Sequence, residues 1–362
     1  MSGLKIGIVG AGGMANYHYD GFIRAGAEVV AMADMNIDRA KAFGEGRQIK
    51  NFYTNLTEML AGEPDLDAVS IITPNKFHKP LVVEALEKGK HVYCEKPPAL
   101  NAAEVQAMLD ASKKAGKLLM FDLNNRARPE AQAIMSYIRD GKVGKINSAQ
   151  AYWIRRNGIP GFGGWFTNKA ISGGGPMLDL PHMFDLALYF MGYPEPEYIM
   201  GAAYYDFMGD RDFKGPWGIP DLKDGVSDVE SSCHAMITFK TGQSLMIRCS
   251  WAEMNEREVV SVTFQGQKAG GKIERLFDID GIDGTSIDKC TLFTEEYGNQ
   301  VDMDVKVEKD VEMGRISMAA NFVDSITGKD KPLDTPEEAL ILMKIVDGIY
   351  ESAATGKPVK VS

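Results

Sequence analysis

The chain has 362 residues, 44% hydrophobic and 25% charged, the mixture of an ordinary globular protein long enough for two domains. A formal net charge of −10 sets it against nucleic acid and anionic membrane surfaces, which would repel it. The four cysteines form no CxxC pair and no metal-ligand spacing, so free thiols in a reducing compartment and no metal are expected. The start of the chain lacks a signal-peptide pattern and no apolar run approaches a membrane span, which predicts a cytoplasmic protein.

Short apolar runs at 4–9, 28–33, 68–72, 91–94 and 117–121 predict strands. Helical patterns at 14–25, 37–43, 79–88 and 102–114 fall between them. This alternation implies a parallel sheet built from right-handed crossovers. The first turn reads Gly10-Ala11-Gly12-Gly13-Met14-Ala15, a G-x-G-x-x-A pattern that follows a strand and opens a helix. Its glycines let the backbone approach a pyrophosphate, and the helix N-terminus offers open N–H donors. Asp34 ends the second strand, where a carboxylate accepts hydrogen bonds from ribose hydroxyls and repels a 2′-phosphate. The pattern is that of a Rossmann dinucleotide-binding domain over residues 1–122 that prefers NAD to NADP. Arg39, five residues on, is expected on a solvated helix face.

The ends of two further strands carry polar groups. Thr73-Pro74-Asn75, followed by Phe77-His78, closes the third strand, and Cys94-Glu95-Lys96-Pro97-Pro98 closes the fourth. Ligands bind beyond the carboxyl ends of strands in open α/β sheets, so a lysine restrained there by proline is placed to hold a substrate hydroxyl.

From about residue 123 the pattern changes to long strands, with a helix over 129–139, strands at 146–154, 232–239, 244–251, 259–265 and 291–294, and a closing helix over 336–354. These predict an α+β domain over 123–362 with a large, mostly antiparallel open sheet. Asn124 and Arg126 follow the last strand of the first domain, where the domains are expected to meet. The segment AYWIRRNGIPGFGGWFT concentrates aromatic residues, arginines and glycines. Arg155 and Trp165 there suit hydroxyl binding and stacking on a sugar ring, while Trp153 and Trp165 suit anchoring in the core equally well. Residues 206–228 read as a polar excursion that caps a site or reaches a neighbouring subunit. The run GGGPMLDLPHMFDLALYF then places Asp179 and His182 at the entrance of an apolar helix.

GIVGAGGMA, Asp34, TPNKFH, GKHVYCEKP and GGGPMLDLPHMFDLAL, in this order, resemble the Gfo/Idh/MocA family of nicotinamide-dependent oxidoreductases over nearly the whole chain. The resemblance implies that Lys96 is catalytic and contacts substrate and nicotinamide, and that Asn75 and His78 belong to the cofactor pocket, with Glu95 fixing the loop. It implies that His182 lies at the substrate as proton acceptor, with Asp179 as its orienting and substrate-binding partner. The division of proton transfer between Lys96 and His182 stays open. In the family the aspartate precedes the histidine by four residues, whereas here Asp179 precedes His182 by three. The implied substrates are sugars, inositols and derivatives, and the implied assembly is a homo-oligomer through the exposed sheet face. The aromatic, arginine-bearing loop and the excursion favour a polyol ring with a sizeable aglycone, oxidised at a ring hydroxyl such as C3. An inositol or free-sugar dehydrogenase, a glycosidase using NAD transiently and a non-catalytic NAD-binding regulator are the competing readings.

Overall fold

The computed structural model describes residues 3–276 and 287–361. The chain forms two compact units, Met1–Arg128 with Asp310–Leu340, and Pro129–Lys309 with Ile341–Ser362.

The first unit holds β1 (Lys5–Val9), β2 (Glu28–Ala33), β3 (Asn51–Tyr53), β4 (Ala68–Ile71), β5 (His91–Cys94) and β6 (Leu119–Phe121). They form an all-parallel sheet in the order β3-β2-β1-β4-β5-β6. The five expected strands are present. The sixth, β3, is a three-residue edge strand too short to leave a periodic signal. Ile6, Ile8, Val69 and Val92 are wholly buried, as expected of a parallel sheet covered on both faces. Between the strands run α1 (Ala15–Arg24), α2 (Ile37–Gly44), α3 (Leu56–Gly62), α4 (His78–Glu87) and α5 (Ala102–Ala115). Asn36, Asn55 and Asn101 cap α2, α3 and α5 by accepting N–H groups of the first turn. The strand order reverses between β1 and β4, the switch point at which open α/β sheets bind ligands.

The second unit opens with α6 (Pro129–Arg139) and β7 (Ile146–Ile154), then α7 (Lys169–Ser172), α8 (Pro176–Asp179) and α9 (His182–Met191). There follow β8 (Pro196–Tyr204), β9 (Ser232–Phe239), β10 (Ser244–Ser250), β11 (Val259–Gly266), β12 (Gly270–Leu276), β13 (Ile287–Glu296), β14 (Asn299–Asp304) and β15 (Val359–Lys360). The sheet order is β14-β13-β12-β11-β7-β10-β9-β8-β15, antiparallel throughout except between β7 and β10. The apolar helix α9 packs on β7 and β11, with the Phe190 and Phe264 rings 5.6 Å apart. Elsewhere on the sheet Met200, Met236 and Met246 lie opposite one another on three neighbouring strands, each exposed by 41–45%.

The segment 310–340 returns to the first unit. In α10 (Arg315–Ile326), the Phe322 ring stacks on Tyr93 at 5.3 Å and meets Phe22 at 6.2 Å. Burial of such a ring stabilises by about 2 kcal/mol. Asp334 accepts the Phe121 N–H at 2.9 Å, which ties this segment to β6. In α11 (Pro336–Thr355), Ala339, Leu342, Met343, Val346 and Ile349 are buried, the face that their spacing predicts. All four cysteines are free and buried, and burial raises each thiol's pKa, that of Cys290 to about 12.

Candidate active site

In the first unit the turn after β1 takes the form its glycines require. Gly10 has φ +104°, and a Cβ there would stand 2.1 Å from the Ile72 carbonyl oxygen, so only glycine fits. At Gly12 and Gly13 the reverse holds, since a Cβ would meet nothing within 4 Å. No side chain caps α1, and the N–H groups of Gly12, Gly13 and Met14 have no acceptor among the described residues. Ala15 is the first residue of the helix. Asp34 stands at the end of β2, where its carboxylate accepts the Ala11 N–H at 2.8 Å and the Asn36 N–H at 2.9 Å. Each oxygen keeps a lone pair for a further donor. Arg39 lies exposed on α2. Open space over the glycines, open N–H donors and a fixed carboxylate fit a dinucleotide phosphate and ribose.

The loops after β4 and β5 are pinned together by His78. Its buried ring meets the Thr73 carbonyl at 2.8 Å through Nε2 and the Pro97 carbonyl at 2.9 Å through Nδ1. Burial lowers its pKa, so the neutral ring donates to one of the two carbonyls at a time. Pro74 leads into a short 3-10 turn, Asn75–Phe77, in which Asn75 is buried. The Thr73 hydroxyl is buried with no hydrogen-bond partner among the described residues, an open polar group at the switch point. Lys96 is half-buried and is followed by a cis peptide to Pro97. The buried Glu95 accepts the Lys96 N–H at 3.0 Å with Oε2 and meets His18 with Oε1.

In the second unit Asp179 ends α8 and His182 begins α9, with Pro181 at the N-cap. Asp179 accepts the Trp251 indole N–H at 2.9 Å, and Trp251 is wholly buried. His182 is buried and packs against Trp153, ring centroids 5.7 Å apart. Trp153 and Arg155 share Glu258, at 3.1 and 3.2 Å. The Arg155 guanidinium also lies 4.6 Å from the Trp217 ring, which meets Phe166, and Phe166 stacks on Trp165 at 3.8 Å. His182, Arg155 and Trp165 therefore belong to one aromatic chain. Hydrogen bonds from Ile219, Leu222 and Asp228 to Pro160, Phe162 and Thr167 zip the 206–228 excursion onto the glycine-rich loop. The other aspartate of the run, Asp185, is wholly buried and accepts the Tyr193 hydroxyl, a structural task.

The glycine triplet before α8 serves close packing. A Cβ on Gly174 would lie 2.0 Å from the Tyr350 hydroxyl, and one on Gly175 would lie 2.2 Å from the Glu230 carbonyl. The chain wraps instead around the buried Glu230 carboxylate, which accepts Gly175 and Met177 N–H groups and the Tyr350 hydroxyl.

The structure gives two expected substrate residues another task. Asn124 donates to the Met313 carbonyl at 2.6 Å. Arg126 is wholly buried, donating to the Leu333 carbonyl at 2.8 Å and pairing with Glu338. Both anchor the returning 310–340 segment within the first unit. Sequence reasoning missed His18, Trp217, Glu230 and Trp251. A histidine inside α1 and a glutamate before a strand carry no motif of their own. Trp217 has only its Gly-Pro-Trp-Gly turn as a signal, within the excursion.

Comparison with known proteins follows these two halves. Residues 4–123 match the oxidoreductase family with an NAD-binding Rossmann fold, and residues 136–361 match that family's C-terminal alpha/beta domain. The chain is 31% identical to the D-glucoside 3-dehydrogenase of Escherichia coli K12, covering 99% of this chain and 98% of that protein. It is 24% identical to the 1,5-anhydro-D-fructose reductase of Ensifer adhaerens, over 98% of each. A levoglucosan dehydrogenase solved with NADH and L-sorbose shares the fold at a TM-score of 0.85, with 21% identity over 100% of both chains. The chain thus belongs to the Gfo/Idh/MocA oxidoreductase family, with an NAD-binding Rossmann domain followed by the family's C-terminal α/β domain.

Proposed function

We propose that this chain oxidises a secondary ring hydroxyl of a glycoside, at C3, to give a 3-keto glycoside. The end-to-end likeness to D-glucoside 3-dehydrogenase carries the reading. Support comes from the aromatic cluster around Arg155, which suits a sugar ring with an aglycone. When bound, NAD supplies the hydride acceptor.

The chain's own residues do the rest. The open N–H groups of residues 12–14 take the pyrophosphate, and Asp34 takes the ribose hydroxyls and disfavours a 2′-phosphate. The Lys96 ammonium donates to the reacting hydroxyl oxygen. His182 accepts the hydroxyl proton, and Asp179, held by Trp251, binds a neighbouring hydroxyl and orients the ring. One hydride and one proton leave the carbinol, and a ketone remains. The row Met200, Met236 and Met246 supports a second copy of this chain as the partner of that sheet face. The four reduced thiols support action in the cytoplasm.

The test is a screen of glycosides, inositols and free sugars with NAD, following NADH absorbance and product mass. An intact glycoside that loses two hydrogens, with the new carbonyl at C3, is the expected result. Turnover of an inositol or a free sugar alone would replace the substrate class. Tight NAD binding with no turnover of any polyol would overturn the enzymatic reading. Lys96→Ala should abolish turnover while NAD affinity is kept, and near-normal turnover would remove Lys96 from the scheme.

A further inference from the structure

Below Lys96 lies a closed polar network that the reaction scheme does not use. His18, on α1, is wholly buried. Its Nδ1 meets the Ser70 hydroxyl at 2.8 Å, from β4. Its Nε2 stands 3.1 Å from Glu95 Oε1, just past β5, and 3.4 Å from Asp122 Oδ2, just past β6. The second oxygen of each carboxylate is also engaged. Glu95 Oε2 accepts the Lys96 N–H at 3.0 Å, and Asp122 Oδ1 accepts the Tyr93 hydroxyl at 2.8 Å. The Tyr93 ring lies 4.8 Å from the His18 ring and closes that side.

The donor and acceptor inventory limits the protonation of this cluster. Ionised carboxylates only accept, so Nε2 carries a proton, and Nδ1 meets a hydroxyl that can accept as well as donate. Two buried carboxylates around one nitrogen repel each other unless a cation stands between them. Burial by itself would lower the His18 pKa, but hydrogen bonds to Asp122 and Glu95 raise it to about 9. Burial and the Asp122 charge leave the Glu95 pKa raised, and His18 and Lys96 oppose that rise.

We propose that His18 is a positioning residue for Lys96, an imidazolium clamped between Glu95 and Asp122 that favours the ionised form of Glu95 and keeps its carboxylate fixed on the Lys96 backbone. The inference rests on the reading of Lys96 as a group that contacts the substrate. In this arrangement α1 fulfils two tasks. Its N-terminal N–H groups are open to a dinucleotide, and His18, which closes its first turn, fixes the base of the lysine loop. The sheet contributes β4, β5 and β6 to one cluster in which a single cation stands between two carboxylates, so the lysine backbone is held by three strand ends and a helix. A displacement of about 1 Å at a reacting group costs up to about 100-fold in rate, so loss of this clamp should appear in kcat.

Three measurements test it. The chain has five histidines, so selective ¹⁵N labelling resolves their rings, and the His18 signal is assigned by its loss in His18→Gln or by elimination. Both His18 nitrogens should show imidazolium shifts that do not change from about pH 6 to 8. A neutral ring in that range overturns the proposal, as does a metal ion bound stoichiometrically at His18, Glu95 and Asp122. His18→Gln keeps a donor but loses the charge, and should lower kcat about 10- to 100-fold with KM for NAD within about twofold. The double variant His18→Gln/Asp122→Asn removes one negative charge along with the positive one, which returns the cluster to its wild-type net charge, and should recover much of that loss. Additive damage in the double variant would mean packing rather than charge, and would overturn the proposal. Wild-type kcat in His18→Gln, alongside an inactive Lys96→Ala, overturns the clamp and leaves the proposed function standing. An active Lys96→Ala removes the function of Lys96, and the ring shifts then still decide the charge on His18. If His18→Gln does not fold, the ring shifts of the wild-type protein and of Asp122→Asn decide between a charged and a neutral His18.

Discussion

Glu230→Ala tests how the substrate half of the site is built. Glu230 Oε1 accepts the Gly175 N–H at 3.0 Å, the Met177 N–H at 3.3 Å and the Tyr350 hydroxyl at 2.8 Å, and Oε2 takes a longer share of Gly175 at 3.1 Å. Alanine leaves all three donors buried without an acceptor, at about 1–3 kcal/mol each, so a loss of about 3–9 kcal/mol is expected. Glutamine keeps the oxygen that takes all three but turns an NH2 group toward the Gly175 N–H, so Glu230→Gln should cost about 1–3 kcal/mol, less than alanine. Burial raises the Glu230 pKa, so the wild-type protein loses stability as pH rises above the unfolded value of 4.5, and the glutamine variant lacks that slope. The four tryptophans, Trp153, Trp165, Trp217 and Trp251, all lie in the second unit, so their fluorescence reports its unfolding alone. In urea, with m about 3 kcal/mol/M, the midpoint for Glu230→Ala should fall by about 1–3 M. Gly175 and Met177 lead directly into Asp179 and His182, so turnover should drop in the alanine variant with NAD affinity unchanged. Equal damage from alanine and glutamine, or a wild-type midpoint for alanine, would refute the account.

Asp34→Ala removes the carboxylate at the end of β2 and should raise KM for NAD about 10- to 100-fold while narrowing the preference over NADP, measured with both cofactors; an unchanged ratio counts against the ribose assignment. His91 accepts the Leu118 N–H through Nδ1 at 2.9 Å, and burial lowers its pKa from 6.5 to about 4. The stability it lends through its neutral form is therefore complete above pH 6.5 and lost as pH falls toward 4. Hydrogen exchange of first-unit peptides should show that loss in the wild-type protein, and His91→Asn, which keeps an acceptor, should flatten it. Met236→Glu puts a charge in the middle of the methionine row and should shift the protein toward monomer in light scattering, with an unchanged mass arguing against that face as the interface.

Much of the first unit is readable from local pattern. Buried parallel strands are continuous apolar runs, and the G-x-G-x-x-A turn, Asp34 and the two proline-bearing loops sit at fixed points on that frame. What escapes is whatever depends on distant partners. The returning helix α10 has the pattern of any amphipathic helix, and nothing in it names Tyr93 and Phe22 as its neighbours. Arg126 reads as a binding residue because arginine beside a strand end commonly is, but its partners, Leu333 and Glu338, lie more than 200 positions away. The glycine triplet is legible as a place of close approach, and its reason, Glu230 and Tyr350, is not.

The buried cysteines make the protein its own unfolding reporter. Held protonated and out of solvent, a thiol reacts with an alkylating reagent only after the structure around it opens. Cys94 belongs to the first unit, and Cys233, Cys249 and Cys290 to the second, so site-resolved labelling clocks the openings of the two separately. Cys94 is the residue before Glu95, at the end of β5. Its labelling half-life thus measures how long the floor of the lysine loop stays shut, and its lengthening on addition of NAD would give the fraction of binding energy spent on keeping it so.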